Sequence, residues 1–155
     1  MRTETELRRL MHQRVEPGDR GEQVVAAVVA QLKDRRYLDD QSYAETFARL
    51  RQENQKFGAR RVRQDLRQKG ISASLTEQTV DTSYGQTNEE TLARQHLERK
   101  RIRKPQDEKE TARVMRRLVA AGFSTGVIYK ILRQWNVPDE SLAGLESIDV
   151  EGQEE

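Results

Sequence analysis

The chain has 155 residues, 34% hydrophobic and 35% charged, with no cysteine and a formal net charge of +2. That is little apolar material for one deep core, since an average domain is ~45–50% apolar, and the lack of cysteine excludes disulfides, thiolate catalysis and cysteine-held metal. No apolar run approaches the ~20 residues of a membrane span, and Met1 to Glu6 lack a signal peptide's apolar stretch, so a cytoplasmic protein is expected.

Residues 3–14 read as a short helix with Leu7, Leu10 and Met11 on one face, broken at Glu16, Pro17, Gly18 and Asp19. Residues 20–35 follow as a second helix, with Val24, Val25, Val28, Val29 and Leu32 on its inner stripe at spacings of three and four. A turn at Tyr37, Leu38, Asp39 and Asp40 leads to a third helix over about 41–54, capped by Asp39 or Asp40, with Tyr43, Ala44, Phe47 and Leu50 inward. After Gly58 a helix over 59–69 buries Val62 and Leu66 and stops at Gly70, the residue type suited to a left-handed helix end, with Ile71 closing it by apolar contact. Ser72 caps a short helix to about Asp81.

Thr87 to Glu90 form a capping-box pattern that opens a helix to about Arg103. Pro105 suits the start of another, over 107–121, which buries Val114 and Leu118 and ends at Gly122. Ser124 caps the last helix, whose apolar face is Val127, Ile128, Ile131, Leu132 and Trp135.

Two of these segments are one unit repeated without a gap. Val62 matches Val114, Leu66 matches Leu118, Gly70 matches Gly122 and Ser72 matches Ser124. A repeat of this kind means an array of small helical units with local cores, and such arrays mostly make binding surfaces. The expected fold is all-α: tandem three-helix repeats in an elongated curved array, the first repeat incomplete, with Leu7 and Met11 in the places of Val62 and Leu66. The expected divisions are 1–36, 37–84 and 85–137 for the three repeats, and 138–155 for a mobile acidic tail.

Charge is unevenly spread. Asp139, Glu140, Glu146, Asp149, Glu151, Glu154 and Glu155 follow Val137 with no base among them, which leaves nineteen acids against all 28 bases before them, a net +9. A basic body suggests a polyanionic partner, and an acidic tail suggests a competitor for the same surface. Two basic clusters are candidates for that partner. Arg60, Arg61, Arg63, Arg67 and Lys69 lie on the 59–69 helix, with Arg60, Arg63 and Arg67 sharing a face by their spacing. Arg99, Lys100, Arg101, Arg103 and Lys104 are denser than a helix C-terminus needs for its dipole, and Arg113, Arg116 and Arg117 extend them. An ordinary solvated surface is the alternative for each.

Catalytic chemistry finds no support. Asp39 and Asp40 have no His or further carboxylate nearby and read as helix caps. His12 and His96 match no metal-ligand spacing and read as surface or packing residues. Gly58, Gly70, Gly85 and Gly122 form no phosphate-cradling loop. Phe57 and Tyr84 are candidates for stacking on bases, while Tyr43, Phe47, Phe123 and Trp135 read as core.

The run Tyr37, Leu38, Asp39, Asp40, Tyr43, Ala44, Gly58, Arg61, Val62, Leu66, Lys69, Gly70 and Ile71 resembles the motif of the RecX family of recombination regulators, whose tandem three-helix repeats come in this order. The resemblance covers residues 3–136 and is strongest over 37–72. The family commonly has Gly where Arg36 stands and Glu-Arg-Phe where Gln41, Ser42 and Tyr43 stand. The first repeat here has no first long helix, and the acidic tail is outside the repeat. The resemblance implies curved, stacked repeats that lie in the groove of the RecA recombinase filament and modulate it, usually by inhibition, in homologous recombination, DNA repair and the SOS response. In that reading Tyr37 to Asp40, Tyr43, Gly58, Val62, Leu66, Gly70 and Ile71 are structural, and the two basic clusters meet the RecA–single-stranded DNA filament and its DNA. The expected protein is a monomeric, cofactor-free, non-enzymatic regulator. A direct DNA-binding helical module, or a protein-only adaptor, is the alternative.

Overall fold

In the computed structural model, residues 1–138 are described; the acidic stretch expected to be a mobile tail lies, apart from Pro138, outside them. Eight α-helices form among the described residues: α1 (Glu4–His12), α2 (Asp19–Asp34), α3 (Asp40–Leu50), α4 (Ala59–Gln68), α5 (Ala73–Tyr84), α6 (Glu89–Arg99), α7 (Glu108–Ala120) and α8 (Thr125–Gln134). There is no strand among them. The order is two helices, then three, then three, as the repeat predicts. Among the described residues, no helix is long and apolar enough to cross a membrane.

Two compact units form, and α4 contributes to both. The first comprises Met1–Arg49 with Arg63–Ser83. Val25, Val29 and Leu38 are its buried centre on the α2 side, with Leu7, Met11, Val15 and Leu32 packed against them. Leu66, Ile71 and Val80 are buried there too. Val24 differs from the expected stripe: it is 47% exposed, because α2 turns only Val25 and Val29 fully inward. The second unit comprises Leu50–Val62 with residues 84–138. There α8 packs on α6 and α7, and Leu97, Met115, Leu118, Phe123, Ile128, Ile131 and Leu132 are almost fully buried.

The helix expected over 41–54 stops at Leu50. Arg51–Gln55 widens into a single π-helical turn, and Lys56 reverses the chain at φ 56°. Leu50, the residue before this turn, is 43% exposed, on the side of α3 away from buried Ala48, where sequence periodicity had it facing in. Gln55 then presents its carbonyl to His96 and Gln52 its amide to the Thr87 hydroxyl.

Five helices end alike. The second residue after the end is left-handed: Arg36, Gly70, Arg101, Gly122 and Asn136, at φ 60°, 87°, 55°, 94° and 59°. The next amide then donates to a carbonyl five residues back: Tyr37 to Leu32, Ile71 to Leu66, Ile102 to Leu97, Phe123 to Leu118 and Val137 to Leu132. This closure satisfies helix-end carbonyls and drives the following residue inward. Ile71 and Phe123 are each 1% exposed. Tyr37 is the exception, 74% exposed, and Leu38 takes the buried place instead.

The helix N-termini are completed from a distance, by the same device in each unit. In the first, Asp39 caps α3 through the Ser42 amide, and the next residue, Asp40, accepts from the Glu4 amide of α1 at 2.8 Å. The Thr3 and Thr5 hydroxyls donate to the Lys69 and Gly70 carbonyls at 2.7 and 3.1 Å. In the second, Asn88 caps α6 through the Thr91 amide, and the next residue, Glu89, accepts from the Ala59 amide of α4 at 3.3 Å. The Gly58 and Arg60 amides donate to Ala121 and Gly122 at 2.8 and 3.2 Å. Amides or threonine hydroxyls at the start of one helix thus meet orphan carbonyls or a carboxylate of another, which also sets their dipoles favourably.

Candidate functional site

The structure separates the two basic clusters by how far the fold uses their charge. On α4, Arg61 is half-buried. Its Nη1 donates to the Ala120 carbonyl at 3.0 Å, and its guanidinium carbon lies 4.9 Å from the centre of the Phe57 ring. It clamps the start of α4 to the end of α7. In the first unit the Arg63 Nε lies 2.8 Å from the Glu77 carboxylate, Arg67 donates to the Ile71 carbonyl at 3.3 Å, and Lys69 lies 3.7 Å from Glu6. Arg60 is exposed.

The second cluster is organised differently. Arg99 ends α6, Lys100 follows it, Arg101 makes the left-handed reversal, and Arg103 and Lys104 lie on the connection to α7. All five are exposed, and none forms an ion pair with a described residue. Ile102 between them turns inward and is half-buried, and Pro105 is buried. Two apolar anchors therefore hold a short segment whose remaining side chains point to water. Five like charges in one loop raise the local potential by several kT and favour an anion. Arg113, Arg116 and Arg117 of α7 are exposed as well.

The remaining candidates resolve into structural roles. Tyr84 is 8% exposed and donates its hydroxyl to the Phe57 carbonyl at 2.7 Å, which takes it out of base stacking. Burial, then Glu89, pushes its phenol far above the usual range. Tyr43 and Phe47 stack at 5.9 Å, half-buried. The Asp39 carboxyl sits below its ordinary value, held there first by the Ser42 amide and then by the Ser42 hydroxyl. No cluster of three His, Asp or Glu suited to a metal exists among the described residues.

His96 is the buried titratable group next to the basic loop. It is 4% exposed, with Phe57 at 5.9 Å and Phe123 at 6.0 Å. Its Nδ1 lies 2.9 Å from the Gln55 carbonyl, so that nitrogen carries the proton and donates. Burial lowers its pKa from 6.5, Lys100 and Arg99 push the same way, and the Gln55 contact opposes them. A depressed folded-state pKa stabilises the fold above the unfolded value, and that contribution is lost as pH falls through and below about 6.5. Urea unfolding is therefore expected to show a lower midpoint at pH 5.5 than at pH 7.5, in a window above the one where Glu4 and Asp39 titrate, and His96→Gln is expected to flatten the difference.

Sequence and structure comparisons converge. A family profile described as RecX, second three-helix domain, matches residues 39–80. The regulatory protein RecX of Leptothrix cholodnii is 34% identical over 109 residues, which cover 70% of this chain and 67% of that protein. That of Mycolicibacterium vanbaalenii is 31% identical, with 76% and 64% covered, and that of Oceanobacillus iheyensis 24%, with 85% and 49%. The chain thus spans about half to two-thirds of the length of these relatives. A crystal structure of regulatory protein RecX superposes with a TM-score of 0.66 at 26% identity, covering 86% of this chain and 64% of that one. RecX from Lactobacillus salivarius superposes with 0.64 at 21% identity, covering 88% and 86%, and shares the fold.

Proposed function

This chain belongs to the RecX family of regulatory proteins, and we propose that it binds the RecA–single-stranded DNA filament and inhibits its ATPase and strand-exchange activity. The observation that carries the reading is the exposed run Arg99, Lys100, Arg101, Arg103 and Lys104, which no described residue neutralises. An array of bases on a rigid helical scaffold suits the repeating phosphates or acidic grooves of a filament, and its binding is led by counterion release. In the proposed mechanism the chain bridges neighbouring protomers, acting in the cytoplasm as a non-enzymatic monomer. Bridging alters subunit exchange and the geometry that ATP turnover requires.

Base-specific DNA reading fits less well. In a helix-turn-helix domain the last helix enters the major groove. Here α5 carries no Lys or Arg, and α8 carries only Lys130 and Arg133, the latter over the Tyr129 ring at 5.7 Å. The bases lie on or after the preceding helices, where they make backbone or protein contacts. The test is ATP hydrolysis by a cognate RecA filament on single-stranded DNA with this chain titrated in. Turnover is expected to fall at substoichiometric amounts. Unchanged turnover with no co-sedimentation on the filament overturns the reading, and binding to naked DNA alone moves it to the DNA-module alternative.

A further inference from the structure

Within the second unit, the start of α4, the end of α6 and the end of α7 enclose a groove of about 320 Å³. Its walls are Phe57, His96, Ile102, Ala120 and Ala121, with Arg61, Lys100 and Arg117 at the rim. The combination is selective. An apolar floor takes an aliphatic or aromatic side chain, and a cationic rim takes carboxylates on either side of it. Arg61 is held by Ala120 and Phe57, so Lys100 and Arg117, both exposed, supply the attraction. A polyphosphate would leave the apolar floor unfilled, and a neutral apolar ligand would leave the rim unanswered.

We propose that this groove is the docking site of the chain's own acidic segment, residues 139–155, with Leu142, Leu145 or Ile148 as the apolar anchor. Three observations favour that occupant. The segment carries seven acids and no base, the complement of the rim. It sets Leu142, Leu145 and Ile148 at intervals of three, with Glu140, Glu146 and Asp149 beside them. It also follows Pro138, in the unit that holds the groove, and seventeen extended residues reach up to about 55 Å at ~3.3 Å each. A tether gives millimolar effective concentration, so a contact too weak to form between separate molecules is populated within one chain. Docking stands or falls without reference to RecA. Its regulatory consequence alone rests on the function proposed above: the segment covers Lys100, and an anionic partner must displace it.

The chain has no cysteine, so Ser147→Cys gives one attachment point for a nitroxide label on the 155-residue, ¹⁵N-labelled chain. At low salt the label is expected to broaden amide signals of residues 96–102 and 117–121. The broadening is expected to weaken severalfold in 0.5 M salt, and to vanish when Lys100→Glu and Arg117→Glu are introduced together. Broadening elsewhere, or confined to residues near the label in sequence, overturns the proposal. So does broadening that appears only when labelled chain is mixed with unlabelled ¹⁵N chain, which assigns the groove to a second copy.

Discussion

Gly122→Ala is expected to lower the unfolding free energy by about 3–5 kcal/mol, with a drop in Tm on the order of 10 °C. Two costs combine. Gly122 sits at φ 94°, which strains any residue with a Cβ, and that Cβ would collide with the backbone nitrogen and the Cβ of Arg61. Relief would require α4 to move away from the α7 turn. That movement would break the bonds from Gly58 and Arg60 to Ala121 and Gly122 and the Arg61 clamp on Ala120. Gly126→Ala is the matched control. It has open space where its Cβ would go and lies in the first turn of α8, so the same chemical change there is expected to be neutral or to add up to ~1 kcal/mol. Urea denaturation of both variants beside the parent checks the pair. Equal midpoints would mean that the close approach at Gly122 is not a constraint.

Charge reversal of the basic loop carries the second large effect. Arg99→Glu, Lys100→Glu, Arg103→Glu and Lys104→Glu together are expected to weaken binding to the RecA–single-stranded DNA filament by at least on the order of 100-fold at ~0.1 M salt. For four phosphate contacts the log–log salt slope is expected to fall by about 3. The four side chains are exposed and take no ion pair from the described residues, so folding is expected to survive the change, which circular dichroism and the unfolding midpoint verify. Arg63→Gln with Lys69→Gln is the contrast. Those charges already face Glu77 and Glu6, and their removal is expected to change the slope by less than about 1. Equal effects from both sets would remove the basic loop from its leading place.

The fold was legible in the sequence where one residue type alone fits. Val62 and Leu66, like Val114 and Leu118, fall at helical spacing before a glycine, and all four are buried. Gly70 and Gly122 take the left-handed conformation that a glycine at a helix end announces. Arg36, Lys56, Arg101 and Asn136 take it too, without that announcement. Their strain of roughly 1 kcal/mol each is offset by the packing of the residues beyond, a tertiary effect with no local pattern. The π-helical turn was hidden for the same reason: its sequence continues the helical pattern, and the contacts of Gln52 and Gln55 that hold it are with distant Thr87 and His96. Both basic clusters were visible as charge. What composition cannot express is how much of that charge the fold consumes. Arg61 looks like Arg60 in the sequence, and only its position beside Ala120 and Phe57 makes it a clamp.

Helix α4 is finished by residues made long after it. Its first amides find acceptors in Glu89, Ala121 and Gly122, some thirty to sixty positions downstream. A chain that emerges from the ribosome at ~5–20 residues per second leaves those amides bound to water for several seconds before their partners exist. Helix α1 waits for partners as distant in sequence, Asp40 at 36 positions and Lys69 and Gly70 at 66 and 65, but all of them are made before Glu89. The first unit can therefore begin to consolidate while the start of α4 is still waiting, and a nascent chain stalled between α5 and α7 would present that unfinished end to whatever carboxylate or carbonyl reached it first.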